Sequence, residues 1–378
     1  MRVWQLRIVL MATVLALVVA CRGGEFVDLQ VYRFGVEALW HGRDLYAASA
    51  PTSVGIDLPF IYPPFAAVLL TPFGTVPWWP AAIGMILLSV VALTVTLVLV
   101  SSRVGWRGVG LVAFPAALVL EPVRSTIEFG QVNLVVMALV VADCLIRRPR
   151  WPRGVLVGLA AAVKLTPLAF VLFFLVTKDV RAARNAAVTA AGATLLGFVV
   201  APESSVRYWT QVVWGASGMG GSPYASNQSI AGALARLGAP GPVLWGVLAM
   251  ATVCAAIWIM RRIDGPPALV VNAAAALLIS PISWSHHWVW VVPALVVLAE
   301  RAVRTGRRGW TAAAALVALT FVVAPHTLLP ADQLRELTWA PWQHVVGNAY
   351  LLVTVGLLAV AVLRPQPRPV DQAARGAE

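Results

Sequence analysis

Apolar residues run in long unbroken blocks along this chain, separated by short polar stretches. The blocks lie near 4–21, 76–100, 108–121, 131–146, 184–201, 241–260, 266–283, 287–300, 309–324 and 344–363. Each is long enough, or nearly so, to cross about 30 Å of hydrocarbon as a helix. Only a helix or a closed barrel satisfies its backbone polar groups in lipid, and blocks of this length favour the helix. The pattern predicts an all-α, polytopic membrane helix bundle of about 10 spans. It forms one domain over 1–363, followed by a short disordered cytoplasmic tail over 364–378 that is rich in Pro and Arg. The first block ends Val18-Val19-Ala20-Cys21, which also fits a signal-peptide cleavage site. A first transmembrane helix is the better reading because more spans follow.

One stretch, 154–177, resists assignment as a simple span. Arg147, Arg148, Arg150 and Arg153 precede it, and Lys178, Arg181 and Arg184 follow it. A single crossing would put the two basic clusters on opposite sides, against the positive-inside rule. A hairpin that enters and returns on one side places 20 of the 28 Lys and Arg residues inside and 7 outside, with Lys164 within the membrane. The segment Lys164-Leu-Thr-Pro167 supplies the break, because proline disfavours helical backbone at the preceding residue. Both termini are then expected in the cytoplasm.

Composition agrees with a lipid-solvated chain. Of 378 residues, 60% are hydrophobic and 12% charged, about half the charge of a soluble domain, and mean hydropathy is +0.82. The net charge of +12 is spread in clusters between apolar blocks rather than gathered in one patch, which argues against a nucleic-acid partner. Cys21, Cys144 and Cys254 show no ligand or disulfide spacing, so no structural zinc site is expected.

The topology puts the polar motifs on one face. Loops 22–75, 122–130, 202–240, 284–286 and 325–343 fall outside and hold most of the 16 acidic residues. Asp28, one helical turn before Tyr32, has the chemistry of a general base, although an Asp there also serves as an ordinary solvated or capping residue. The run Phe60-Ile-Tyr62-Pro-Pro-Phe65 suits packing on a sugar or lipid, or simple interfacial partition. Glu121-Pro-Val-Arg124 and Glu128-Phe-Gly-Gln131-Val-Asn133 make a polar knot, fit either for a ligand or for bonding between helices. Lys164 is a charge in an apolar stretch, for which a phosphate, an acidic side chain or backbone carbonyls are the natural partners. Asn227 and Gln228 lie in Ser226-Asn-Gln-Ser229, a segment that can contact a head group or cap a helix. Trp284, His286 and His287 belong to Ser283-Trp-Ser-His-His-Trp288. Neighbouring helical residues point about 100° apart, so the two histidines are poor joint metal ligands; one suits a phosphate, a sugar or a proton, or plain hydrogen bonding at the interface.

The order of these motifs is more specific than any one of them. Asp28…Tyr32, Gly42-Arg-Asp-Leu-Tyr46, Phe60-Ile-Tyr-Pro-Pro-Phe65, Gly130-Gln-Val-Asn133, Lys164-Leu-Thr-Pro167, Asn227-Gln-Ser229 and Ser280-Pro-Ile-Ser-Trp-Ser-His-His287 follow one another as they do in glycosyltransferase family 87. From about residue 5 to 363 the chain resembles the polyprenol-phosphate-mannose-dependent α-(1→2)-mannosyltransferases of actinobacteria, which have the GT-C fold. The resemblance implies a multi-pass enzyme of the bacterial cytoplasmic membrane with its active site on the extracytoplasmic face. Its donor would be a polyprenyl-phosphate-linked mannose and its acceptor a glycolipid or glycan. On the same grounds Asp28 is the expected base, and His286 or His287 is expected at the site. Tyr32, Tyr62, Arg124, Gln131, Asn133, Lys164, Asn227, Gln228 and Trp284 are the expected substrate-binding residues. No metal or other cofactor is expected.

Three other readings make different demands. A transferase for another lipid-linked sugar such as arabinose would share the motifs. A secondary transporter would show symmetric halves and midplane polar residues, whereas no internal repeat is visible and the polar residues gather on one face. A non-catalytic envelope scaffold would tolerate loss of the Asp28 carboxylate.

Overall fold

The computed structural model describes residue 14 and residues 24–106, 109–215, 222–239 and 241–363. The expected first span, 4–21, and the expected tail, 364–378, therefore lie outside the described residues, apart from Val14.

The described chain is a helical bundle with one two-stranded sheet. Strands Ser49–Pro51 and Asp57–Pro59 pair antiparallel within the stretch 22–75, with Ala50 opposite Leu58. Three described helices are long and apolar enough to cross a membrane: Trp78–Arg103, Val180–Val200 and Pro242–Met260. Two bent pairs raise this to five if each pair is one span. The remaining expected spans are shorter helices of 10 to 17 residues, such as Gly265–Ile279 and Arg308–Val323. Their polar outer ends leave the α-helix early. The block 287–300, for instance, begins as a 3-10 turn over Ser285–Trp290 before the helix Val291–Thr305.

The segment 154–177 is a broken hairpin, as its flanking charges require. Helix Val155–Val163 stops at Lys164, whose backbone is extended (φ −145°, ψ 124°). A 3-10 turn, Thr166–Phe170, and a short helix, Val171–Val176, carry the chain back. Its two ends meet: Arg153 pairs with Asp179 at 3.8 Å, and the Asn185 amide donates to the Arg153 carbonyl at 2.9 Å. Helix Val155–Val163 spans only about 13 Å at 1.5 Å per residue, less than half of a hydrocarbon core of about 30 Å.

Two features hold the hairpin in place. Gly154 (φ +99°) and Gly158 pass so close to helix Val180–Val200 that a Cβ on either would meet the Ala182 or Ala186 carbonyl oxygen within 2.4 Å. Small residues permit this backbone approach in lipid. Asp143, fully buried at the end of helix Asn133–Leu145, accepts hydrogen bonds from the Gly154 and Val157 amides and the Trp151 indole at 2.9 to 3.0 Å. It thereby satisfies amide donors that a helix start leaves without partners.

Candidate active site

The helix Val27–Trp40 carries Asp28 and Tyr32, and a neighbouring turn fixes its start. Phe26 adopts left-handed backbone (φ 47°) and donates to the Glu128 carbonyl, while the Asp28 and Leu29 amides donate to the Phe129 carbonyl at 3.0 and 3.2 Å. That carbonyl lies between helices Glu121–Glu128 and Asn133–Leu145, which meet at 119°. Gly130 makes the corner with φ +68°, and a Cβ there would sit 2.9 Å from that of Leu29. The Glu-Phe-Gly-Gln motif thus docks the Asp28 helix through backbone atoms.

Side chains from four segments converge beside it. Gln131 accepts from the Tyr32 hydroxyl at 2.7 Å and donates to the Tyr62 hydroxyl at 2.8 Å. The two phenol rings pack edge-on at 5.2 Å. The Lys164 ammonium lies 5.9 Å from the Tyr62 ring centre, donates to Asn133 Oδ1 at 2.7 Å and contacts His287 Nε2 at 2.9 Å. An ammonium can only donate, so this contact requires Nε2 to accept and places the imidazole proton on Nδ1. Asp28 lies in the first turn of its helix, and burial raises its carboxyl to about 6, against the opposing pull of Lys164 and a hydrogen bond with Gln131. Burial likewise pushes the Tyr32 and Tyr62 hydroxyls up, keeping them neutral donors.

The Ser-His-His turn is anchored rather than loose. The His286 carbonyl accepts from Thr126 and from Asn133 Nδ2, both at 3.0 Å. Its ring packs edge-on against Phe129 at 5.3 Å and His287 at 4.8 Å. Ser285 donates to the buried carboxylate of Glu121 at 2.8 Å, which also accepts from Ser125 at 2.9 Å and the Tyr350 hydroxyl at 2.8 Å. One carboxylate therefore ties the histidine turn to the last helix. Ser125, Thr126, Ser285 and Tyr350 each look ordinary in the sequence; only their burial around Glu121 and His286 reveals them.

A small cavity of about 40 Å³ opens from this cluster. Asn133, Lys164 and His287 line its polar end, and Val136, Phe170 and Trp290 belong to its apolar wall. Phe170 and Trp290 stack at 4.7 Å to form part of that wall. Among the described residues, no three His, Cys, Asp or Glu side chains gather closely enough to hold a metal ion.

The expected site residues divide into two sets, with Arg124 in neither. Asp28, Tyr32, Tyr62, Gln131, Asn133, Lys164, His286 and His287 come together. Asn227, Gln228 and Trp284 form a separate seam: Asn227 pairs with Trp284 as a β-bridge, and its amide group binds the Ser222 and Pro281 carbonyls and the Ser283 amide. Gln228 donates to the Ala225 and Gly347 carbonyls at 2.7 and 2.6 Å. Both amide side chains are fully buried and largely spent on backbone. Arg124 is paired with Glu128 at 3.6 Å, one turn along the same helix. The Gly-Arg-Asp-Leu-Tyr motif is a clamp: Asp44 caps the Tyr46 amide and pairs with Arg207, and the Tyr46 hydroxyl donates to the Tyr62 carbonyl at 2.7 Å.

Comparison with known proteins gives this arrangement a context. Residues 60–281 match glycosyltransferase family 87, a stretch that holds Lys164 and lies between Asp28 and the histidine pair. The chain is 42% identical over 373 residues to a polyprenol-phosphate-mannose-dependent alpha-(1-2)-phosphatidylinositol mannoside mannosyltransferase of Mycolicibacterium smegmatis, covering 88% of this chain and 84% of that one. It is 38% identical over 379 residues to the protein of the same name from Mycobacterium tuberculosis, covering 90% and 86%. Among solved structures it is similar to ArnT from Cupriavidus metallidurans bound to undecaprenyl phosphate, with TM-score 0.44 and 19% identity over 94% of this chain and 77% of that one.

Proposed function

The chain belongs to glycosyltransferase family 87, and from that membership we propose that it moves mannose from a polyprenyl-phosphate donor to the 2-hydroxyl of a mannosylated phosphatidylinositol. The single observation that carries the mechanism is the convergence of one carboxylate, Asp28, and one cation, Lys164, on the same polar cluster.

The reaction is one displacement. The acceptor oxygen attacks the anomeric carbon and the bond from that carbon to the phosphate oxygen breaks. The acceptor proton goes to Asp28, and the electron pair of the broken bond leaves with the polyprenyl phosphate. A β-linked donor gives an α product by inversion, which needs a base but no covalent intermediate. A phosphate monoester leaves readily, so cations and hydrogen-bond donors suffice to stabilise it. Lys164 supplies the charge. Asn133 and His287 hold its ammonium, and Tyr32 and Tyr62 remain neutral and orient Gln131 beside Asp28. The prenyl chain would run along the wall that Val136, Phe170 and Trp290 help to form.

The positive-inside count puts this cluster on the extracytoplasmic side, with both termini in the cytoplasm. The first test uses purified protein in nanodiscs, radiolabelled mannosyl-phosphopolyprenol and a phosphatidylinositol mannoside. Transfer by wild type that vanishes in a folded Asp28→Asn variant supports the reading. Undiminished transfer by Asp28→Asn removes Asp28 as base, and no transfer by wild type removes this donor and acceptor.

A further inference from the structure

Ser283 and Thr166 line the small cavity that Lys164 and His287 also line, and neither hydroxyl is spent on the protein. Ser283 is fully buried, and its Oγ has no hydrogen-bond partner among the described residues. A buried polar group left without a partner costs free energy, so an unspent one calls for a ligand or another reason. Thr166 stands two residues after Lys164 in the hairpin break, and its side chain makes no hydrogen bond among the described residues. Ser280, a third hydroxyl residue of the cavity, differs: its Oγ donates to the Ile282 carbonyl at 2.7 Å.

Both unspent residues have fixed backbones. The Ser283 amide donates to Asn227 Oδ1 at 3.0 Å, and its carbonyl accepts from the Gln228 amide at 2.8 Å. The bridge between Asn227 and Trp284 continues that seam. The Ser283 side chain still turns among its staggered rotamers while the backbone stays in place. Thr166 begins a 3-10 turn whose next residue, Pro167, is buried and has a locked φ.

The count of donors fits one ligand. An ammonium has three N–H donors. Asn133 Oδ1 and His287 Nε2 take two from Lys164, which leaves one. The Ser283 and Thr166 hydroxyls bring the number of free donors to three. The free space agrees. One water-sized oxygen needs about 10–15 Å³, so a cavity of about 40 Å³ takes about three. A phosphate monoester presents three terminal oxygens. Neutral hydroxyls also suit the place, because a second buried cation would repel Lys164 and lack a counter-charge whenever the cavity held no anion.

We propose that Ser283 and Thr166 donate, together with the remaining N–H of Lys164, to the phosphate of the prenyl carrier. The inference rests on the transferase reading above and adds two residues to it. In the donor, a phosphodiester, two phosphate oxygens are terminal and a third is bonded to the anomeric carbon. That third oxygen keeps the electron pair when its bond to carbon breaks and becomes terminal. One of the three donors therefore meets its full charge only as the bond breaks, which is the condition for speeding the chemical step.

Binding of undecaprenyl phosphate to the full-length protein in nanodiscs tests this, with undecaprenol and phosphatidylinositol as comparison ligands. Wild type should bind undecaprenyl phosphate at least tenfold more tightly than undecaprenol. Ser283→Ala and Thr166→Val should each weaken undecaprenyl phosphate about tenfold, the effect of losing one hydrogen bond to a charged group, and leave undecaprenol unchanged. Thr166→Ser should restore wild-type binding. Undiminished binding by either variant overturns the proposal, as does an equal loss of undecaprenol, which marks a merely structural role. Wild type that does not distinguish the phosphate from the alcohol overturns it too. So does phosphatidylinositol that displaces undecaprenyl phosphate at equal strength, by assigning the site to the phosphate of the acceptor. Because the readout is binding, a wild type that behaves as expected here yet transfers no mannose sinks the mannosyltransferase reading and leaves the two hydroxyls in place. If Ser283→Ala does not fold, Thr166→Val, at an exposed position, decides alone.

Discussion

Lys164 and His287 are 123 residues apart in sequence, yet the lysine Nζ and the histidine Nε2 lie 2.9 Å from each other. Asn133 holds both: its Oδ1 accepts from the ammonium at 2.7 Å, and its Nδ2 donates to the carbonyl just before His287 at 3.0 Å. The broken hairpin, the Gly-Gln-Val-Asn corner and the Ser-His-His turn are thereby brought to one point. A charge at the tip of a broken hairpin is expensive in lipid, and here two polar groups, Asn133 Oδ1 and His287 Nε2, meet it.

Removing that charge should slow the chemical step. Lys164→Met is expected to lower kcat by about 10²- to 10³-fold, the usual effect of losing one stabiliser of a developing oxyanion. Asn133→Ala should reproduce part of the loss by releasing the ammonium. Steady-state kinetics in nanodiscs measure both, and an unchanged kcat in Lys164→Met would remove the lysine from the mechanism.

The pH dependence follows from Asp28. Burial raises its carboxyl to about 6, and a base must be ionised to accept a proton. Activity should therefore fall as pH drops through about 6 and level off above it. Asp28→Asn should cost about 10²- to 10⁴-fold and lose that acidic limb. A limb that persists in the residual activity of Asp28→Asn would belong to another group.

Glu121 should matter for stability as much as for rate. Its carboxylate accepts from three buried hydroxyls, and Glu121→Gln would set an amide donor against at least one of them. An unsatisfied buried donor costs about 1–3 kcal/mol. Thermal unfolding in detergent should show Glu121→Gln well below wild type, with Tyr350→Phe losing less because it removes one bond and leaves no clash. Equal melting temperatures in all three would show that the network does not hold the turn.

Gly35 marks a steric limit in helix Val27–Trp40. A Cβ there would lie 2.5 Å from Cδ2 of Phe60, whose own ring packs on Tyr62 at 5.5 Å. Gly35→Ala should push Phe60 and disturb the Tyr62–Gln131 bond, costing about 1–3 kcal/mol as overpacking does. Gly84→Ala, where the nearest atom is 3.5 Å away, is the control and should unfold like wild type.

Sidedness can be read by labelling. In a variant without native cysteines, Arg150→Cys and Arg181→Cys flank the hairpin and should both be shielded from an impermeant maleimide in intact cells. Labelling of one but not the other would mean that 154–177 crosses the membrane.

The Asp28 cluster was expected from the family resemblance, whereas the hairpin was legible in the sequence for a physical reason. Charge bias and a Lys-x-x-Pro break are local signals, and lipid penalises every alternative to them. The span lengths were less so. Hydropathy does not report where a helix gives way to a 3-10 turn, as at Ser285–Trp290. Asn227 and Gln228 illustrate a different limit. Amides that bind sugar and amides that bind backbone look alike until a fold brings Ser283 and Gly347 to them. Glu121 needed partners 164 and 229 residues away before its role appeared.

Asp143 has a consequence for how the chain is made. The carboxylate that caps the hairpin belongs to the helix immediately before it, so it leaves the ribosome eleven residues ahead of the Gly154 amide it receives. A nine-residue helix is too short to be inserted as a span of its own. With its cap already delivered, it can fold against a neighbour that is in place, and the closing contact between Arg153 and Asp179 then waits only for the return arm. Biogenesis of the perch of Lys164 is thus written in chain order.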